Sequence, residues 1–538
     1  MTVSFRQKSV RASAFLLFAV FLLPLPLIGA ELIVTSSADS GEGSLREAIA
    51  MAQEGDTILL DPTQDDDPAL TMTVRLTSGP LVIDKSITIF GIAQGRHVTV
   101  FVEQTGNGRV FEVNGDVNVT LSGLGVTGGS GVDGTVGAPD GENGGGLLNN
   151  GATVRIDFCE FTNNSAGYAH AESDTYASGS RGGNGGAIHN TANGSLTVNV
   201  CTFENNKAGA GESGGDGGAI SSDSGLVEVT DTTFTGNFAG NSSTGISGNG
   251  GGIACHGGTI DVRGAAFREN ATGKSSFLSE RIGSGGATYL RDGMVMIVNC
   301  TVSGNRTESG GEGGNGGGVH LESGSANIIN STITGNTAGS GTISNGVGGG
   351  ISAGPAVTFL LLRNSIVAGN FSTDPPESPD LGLATGISTF IRVFTSVALS
   401  GEPTLSPGTP NADGNHAGTS NSPLDPQLDE LADNGGPTLT HRPRAGSPVI
   451  DPVNGNPTSF YTTDQRGLPR PAGASTDFGA VEIQPGEFNS AGGNSAQITA
   501  TKRLINKVKK QLKNSKGSKT KKLRGKLKKL KKRLLTLG

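Results

Sequence analysis

The chain has no tryptophan, four tyrosines, four cysteines and five methionines among its 538 residues. Four cysteines are too few to hold a chain of this length as a disulfide scaffold. Good helix formers are scarce before the C-terminal segment, which argues against a helical bundle. No Walker sequence, nucleophile elbow or HExxH is present, so these phosphate-binding, acyl-transfer and zinc-protease signatures are missing. Beyond one stretch near the start, no apolar run is long enough for a membrane-spanning helix.

Glycine is what the chain has in abundance, 88 residues of it. It follows no three-residue period, which excludes collagen and points to many turns. Apolar residues make up 34%, enough to bury a core.

Arg6, Lys8 and Arg11 precede the apolar stretch "ASAFLLFAVFLLPLPLIGA". That order predicts a secretory signal peptide over residues 1–30, cut after Ala30. Charge divides the remainder. Residues 31–487 hold 20 basic and 48 acidic residues, a net charge of −28, whereas residues 488–538 hold 17 basic residues and no acid.

A repeat organises the middle of the chain. After a glycine pair comes a residue from the series Leu147, Ile188, Ile220, Ile253, Thr288, Val319 and Ile351. An asparagine closes each copy: Asn164, Asn206, Asn237, Asn270, Asn305, Asn336 and Asn370. The separations are 17, 18, 17, 17, 17, 17 and 19 residues, while the Gly/Ser/Asn-rich stretches between copies vary from 14 to 24. A fixed body with a variable loop is the pattern of a solenoid.

Pairs such as Leu196/Val198, ten and eight residues before the asparagine, have period two. Pairs such as Cys201/Phe203, five and three before it, also have period two but are out of phase with the first. The chain must bend between them. The "GGAI" segment supplies a third strand.

The reading is an all-β fold: a right-handed parallel β-helix with three strands per coil and roughly ten to eleven coils, about 50 Å long at about 4.8 Å per coil. Phe161, Phe203, Phe234 and Phe267 are expected to stack. Cys159, Cys201 and Cys300 are expected to share a ladder of small residues. The asparagines are expected to hydrogen-bond along the axis and to take left-handed turn geometry. "GSLREAIAMAQ" reads as a helix with a capping box, Ser44 and Glu47, that covers the first coil. The expected divisions are the β-helix with its cap over 31–380, a further module over 381–487, and a basic amphipathic helical tail over 488–538. In the tail, Leu523, Leu527, Leu530, Leu534 and Leu537 form one stripe.

Repetition of "GGAI" followed by "FxxN", as in Phe203–Asn206, resembles the repeat of chlamydial-type polymorphic outer-membrane proteins, secreted surface β-helices linked to adhesion. "SSADSGEGSLREAIAMAQEGDTILLDP" is similar to an N-terminal segment of large bacterial surface proteins. "SPLDPQLDELADNGGPTLTHRPRAGSPVID", with "DQRGLPRP" and "DFGAVE", resembles the choice-of-anchor Q module of exported bacterial β-helix proteins. These resemblances imply an exported, extracellular or outer-membrane-associated protein of adhesin-like or structural type. They imply an unidentified ligand at the Gly-rich loops. The basic tail is expected to hold the envelope surface or an acidic polysaccharide, and nucleic acid is not expected.

The alternative is a polysaccharide lyase or glycoside hydrolase acting on acidic polysaccharide. Among the outward positions of the long strand, Glu228, Asp261 and Arg263 cluster in adjacent coils. A solvated ion pair is the competing explanation. His189, His256 and His320 follow the glycines at differing offsets and are not expected to form one column, which argues against a three-histidine metal site. "DDD" at Asp65–Asp67 and "NADGN" at Asn411–Asn415 offer oxygens for weak calcium binding, but neither has a full ligand loop of the EF-hand type. No catalytic, cofactor or metal residue is assigned from the sequence.

Overall fold

The computed structural model describes residues 29–488, apart from 63–70, 92–99, 173–174, 192, 278–279, 373–379, 385–387, 398–404, 406, 408–409, 412 and 453–460. The expected signal peptide, the Asp65–Asp67 run and the basic tail therefore lie outside the described residues, except for residues 29 and 30 of the first and residue 488 of the last.

The chain winds into a parallel β-helix of about ten turns. Parallel crossovers take the right hand. Each turn of the repeat carries three strands, as in Ile188–Asn190, Ser195–Asn199 and Thr202–Glu204. Each of these strands pairs in parallel with its counterpart one coil away. Leu147, Ile188, Ile220, Ile253, Thr288, Val319 and Ile351 stand in one register column. The stack continues past residue 380, through Leu381–Leu383 and Ser388–Thr395.

Identical positions become ladders. Phe161, Phe203, Phe234 and Phe267 stack with centroids 5.2, 5.0 and 4.6 Å apart. All four are fully buried. Each ladder asparagine accepts, through Oδ1, the backbone N–H and the side-chain amide of the asparagine before it. For Asn206 and Asn237 these distances are 3.0 and 2.9 Å. The left-handed conformation sits one residue earlier than expected, at positions such as Asn163 and Asn205. It recurs six residues before the ladder, at Phe158, Val200 and Asp231, and there it makes the bend between the second and third strands of the coil. The ladder asparagine itself must aim its amide along the axis, and the preceding residue makes the turn.

The cysteine column is more than filler. The backbone N–H of Cys201 donates to Thr232 Oγ1 at 3.2 Å, and that of Cys300 to Ser331 Oγ at 3.2 Å. Burial pushes the thiols of Cys159 and Cys300 up to about 12, so they stay protonated.

Leu45–Met51 forms the expected helix, with Leu45, Ala48 and Ile49 buried on the first coil. Ser44 Oγ accepts from the Glu47 N–H at 3.2 Å. Glu47 returns its carboxylate to the N–H of Gly43, one residue before the cap.

At the other end the asparagine ladder stops on an acid. Asp380 Oδ1 accepts from Asn370 N and Nδ2, both at 3.0 Å. Its Oδ2 accepts from Ser396 N at 3.0 Å and Thr395 Oγ1 at 3.2 Å. Full burial raises its carboxyl to about 6.

Beyond the last strand, the chain doubles back along the flank of the tube. Ile366, Ala368, Phe394, Val449 and Phe478 form a second apolar cluster. Further along, Thr438 Oγ1 donates to Gly264 O at 2.7 Å, and Gln465 bonds both Thr301 Oγ1 (2.6 Å) and Ala265 O (3.2 Å). The "DQRGLPRP" and "DFGAVE" segments supply the interior of this clasp. Arg466 pairs with Asp464 at 2.9 Å and Glu487 at 2.6 Å, and Arg470 with Glu482 at 3.2 Å. The Arg470 and Glu482 side chains are fully buried.

Candidate functional site

The glycines build the wall of the site. At the foot of each loop a glycine takes positive φ, as Gly185 does at 66°. Above it the loops of successive coils lie backbone against backbone. Gly183 N donates to Gly167 O, Gly209 to Gly183, Gly215 to Gly209, Gly240 to Gly215 and Gly248 to Gly240, at 2.7–2.9 Å. A Cβ on Gly209 would overlap the oxygen of Gly167, and one on Gly240 the oxygen of Gly209. Only glycine permits this approach, which accounts for stretches such as "AGAGESGGDGGAI". The loop bases are thus an ordered layer, and variation is left to the tips, where Val136, Phe277 and Ile343 are exposed.

A polar ladder ties the layer to the tube. Asn184 N donates to Asn143 Oδ1 at 2.7 Å, Asp216 N to Asn184 Oδ1 at 2.8 Å, and Asn249 N to Asp216 Oδ1 at 2.6 Å. Between this layer and the outer face of the GGAI sheet lies a cleft of about 450 Å³. It crosses several coils and is lined by Asp140, Arg181, Asp216, Asp223, His256 and Arg291, with Gly141, Gly182 and Gly214 among the wall residues.

Strand parity brings the histidines together. Counting from the core-facing column, His189 and His320 stand at the next position and His256 at the third, so all three point outward from the same sheet. His256 Nε2 lies 3.0 Å from Asp216 Oδ2, and His189 Nε2 lies 3.4 Å from Asp223 Oδ2. His320 Nε2 is 3.1 Å from Glu322. The other ring nitrogen, Nδ1, of each histidine is buried without a hydrogen-bond partner among the described residues. Tyr289 stands between two of the rings, 5.8 Å from both His256 and His320. Burial pushes its hydroxyl well above the usual range. Hydrogen bonds from the histidines lower the carboxyls of Asp223 and Glu322. The three histidines occupy different coils, each with its own carboxylate. Among the described residues no three His, Cys, Asp or Glu side chains converge as a metal set.

The cluster expected from the sequence lies on a different sheet. Glu228 and Asp261 are register neighbours. Arg263 forks onto Asp261 with two bonds of 2.8 Å and lies over the Tyr461 ring at 5.8 Å. Glu228 accepts from Thr197 Oγ1 at 3.3 Å. The pairing neutralises Asp261 on an exposed strand. In "NADGN", Asn411 Oδ1 accepts from the N–H groups of Asp413 (3.0 Å) and Asn415 (2.9 Å), while Asn415 bonds Phe390 and Val393. Those oxygens hold a turn.

Sequence reasoning missed Asp216, Tyr289, Arg181 and Arg291. The parity of His189 and Tyr289 within the strand, carried one residue past its end to His256 and Arg291, was the signal available. Asp216 stands four residues before Ile220, as Asn143, Asn184 and Asn249 stand before Leu147, Ile188 and Ile253, so its column could have been counted; Arg181 comes from a loop of unequal length, where no register can be counted.

Residues 158–191 and 200–223 match the Chlamydia polymorphic membrane protein repeat. No curated protein matches the chain. Two of the solved structures that align with the chain are these. One is a mannuronic acid specific polysaccharide family 6 lyase from human gut microbiota, at 11% identity and a TM-score of 0.28, covering 68% of this chain and 86% of that one. The other is the A-module of a mannuronan C-5 epimerase from Azotobacter vinelandii, at 12% identity and a TM-score of 0.23, covering 67% and 97%.

Proposed function

We infer that this chain is an exported surface β-helix protein of adhesin-like or structural type, without catalytic activity. In this reading the loop-bearing face meets a partner and the basic segment 488–538 holds the envelope. The observation that carries the reading is the polymorphic membrane protein repeat over 158–191 and 200–223. Those coils contribute Arg181, Asp216 and Asp223, together with part of the glycine wall, to the cleft. The outer-membrane or surface location comes from the same repeat.

A second reading, a lyase or hydrolase of acidic polysaccharide, is favoured by one arrangement: the His256–Asp216 pair beside Tyr289 and Arg291. A carboxylate-paired imidazole is a common general base.

Fractionation of cells expressing the full chain, or a chain ending at Pro485, tests the first reading. The full chain should stay with the envelope and be partly eluted by molar salt, because the Debye length falls from about 8 Å to about 3 Å. The shortened chain should appear in the medium. Equal retention of both removes the tail from the attachment role. Release of saccharide products that His256→Gln abolishes would replace the first reading with the second.

A further inference from the structure

We propose that the cleft between the glycine layer and the GGAI sheet binds a short stretch of carboxylate-bearing saccharide, with Arg181 and Arg291 each holding a carboxylate. The proposal deepens the surface-protein reading by naming what its loop-bearing face takes.

The arginines are the starting point. Around the cleft, guanidinium groups are otherwise paired: Arg109 with Glu112 and Glu142, Arg281 with Glu322, Arg306 with Glu308. Arg181 and Arg291 line the cleft, are exposed, and have no ion-pair partner among the described residues. An unpaired guanidinium offers a planar fork of donors that matches a carboxylate.

Spacing supports an extended ligand. Arg181 belongs to the coil of Ile188, being bridged to Ser213 of the next coil, and Arg291 follows Thr288 three coils on. At about 4.8 Å per coil, that is about 14 Å along the axis. A few sugar rings laid along the rod span it.

The floor between the arginines suits hydroxyl groups. Asp216 and Asp223 are held by His256 and His189, which fixes their orientation; Asp216 Oδ1 is taken up by Asn249 N and Nδ2, so its Oδ2 and the carboxylate of Asp223 are the oxygens that accept from hydroxyls. Gly141, Gly182 and Gly214 present backbone with no side chain in the way. Nucleic acid fits poorly, because the acidic body repels a dense polyanion and no exposed aromatic lines the cleft for base stacking. A chain of isolated carboxylates separated by hydroxyl-bearing rings meets both features.

Calorimetric titration of the full chain with mannuronate and galacturonate trisaccharides, and with a neutral galactose trisaccharide, tests this. At least one uronate should bind ten-fold or more tightly than the neutral sugar. Arg181→Gln and Arg291→Gln should each weaken that uronate about ten-fold. Arg155→Gln, whose side chain pairs with Asp157 on another sheet, should leave it unchanged. Binding of neither uronate, equal binding of acidic and neutral sugars, or indifference to both cleft variants overturns the proposal. If envelope retention persists in those cases, the surface-protein reading survives without it. Accumulation of unsaturated product during titration would support the ligand class and overturn the non-catalytic reading.

Discussion

Replacing Asp380 with asparagine should flatten the dependence of stability on pH between 4 and 6. The carboxyl closes the asparagine ladder from a fully buried position, where its value rises from 3.8 to about 6. The folded state therefore binds this proton more tightly than the unfolded state does. Stability from this group is greatest below pH 4 and falls as pH climbs through 6. Roughly two pH units at 1.36 kcal/mol each give a loss of about 3 kcal/mol by pH 7. The amide removes that loss, since it carries no charge to bury. It keeps the oxygen facing Asn370 but turns its NH₂ toward the N–H of Ser396, now 3.0 Å from Oδ2. Losing that acceptor costs about 1–3 kcal/mol. The two effects nearly cancel at pH 7, and at pH 4 only the cost persists. Urea unfolding followed by far-UV circular dichroism at pH 4, 5, 6 and 7 reads the difference between variant and wild type. That difference also removes the contribution of Asp477, raised to about 7 in the clasp by burial and by Glu482. Parallel curves for the two proteins would refute the reasoning.

Phe203→Asp would place an unpaired charge between rings at 5.2 and 5.0 Å, at a cost of several kcal/mol, and soluble yield should collapse. Wild-type yield would mean that the ring ladder is not buried. Gly240→Val should disrupt the loop layer where its Cβ meets Gly209 O, costing about 1–3 kcal/mol locally. Limited proteolysis should then cut the loops near residues 209–248 while the circular dichroism of the tube is kept; unchanged protection would show that the layer tolerates side chains.

The tube was legible because a coil repeats its inward positions at fixed spacing, so Leu196/Val198 and Cys201/Phe203 declare their faces directly. The ladder terminus was not. Asp380 stands ten residues after Asn370 instead of a full repeat, and it substitutes a carboxylate for an amide. The cleft was half legible. His189, His256 and His320 were visible as residues, but their shared face emerges only when alternate positions of one strand are counted together. Asp216 reaches His256 from a fixed place, four residues before Ile220, whereas Arg181 enters the cleft from a loop whose length follows no rule. The Glu228, Asp261 and Arg263 grouping was read correctly as neighbours, yet adjacency on an open strand brought Arg263 onto Asp261 in an ion pair.

A stack of coils that touch only their neighbours behaves as a one-dimensional chain, able to fray from either end one layer at a time. The clasp changes that connectivity. Thr438 and Gln465 grip the coil of Gly264 and Ala265, while Phe478 packs on Phe394 near the last strand. One segment thus couples layers several repeats apart, and the C-terminal half should melt as a single cooperative block. The N-terminal coils, covered among the described residues by a seven-residue helix, form the softer terminus. Under tension along the axis the rod should give way there first, leaving the half next to the C-terminal segment folded.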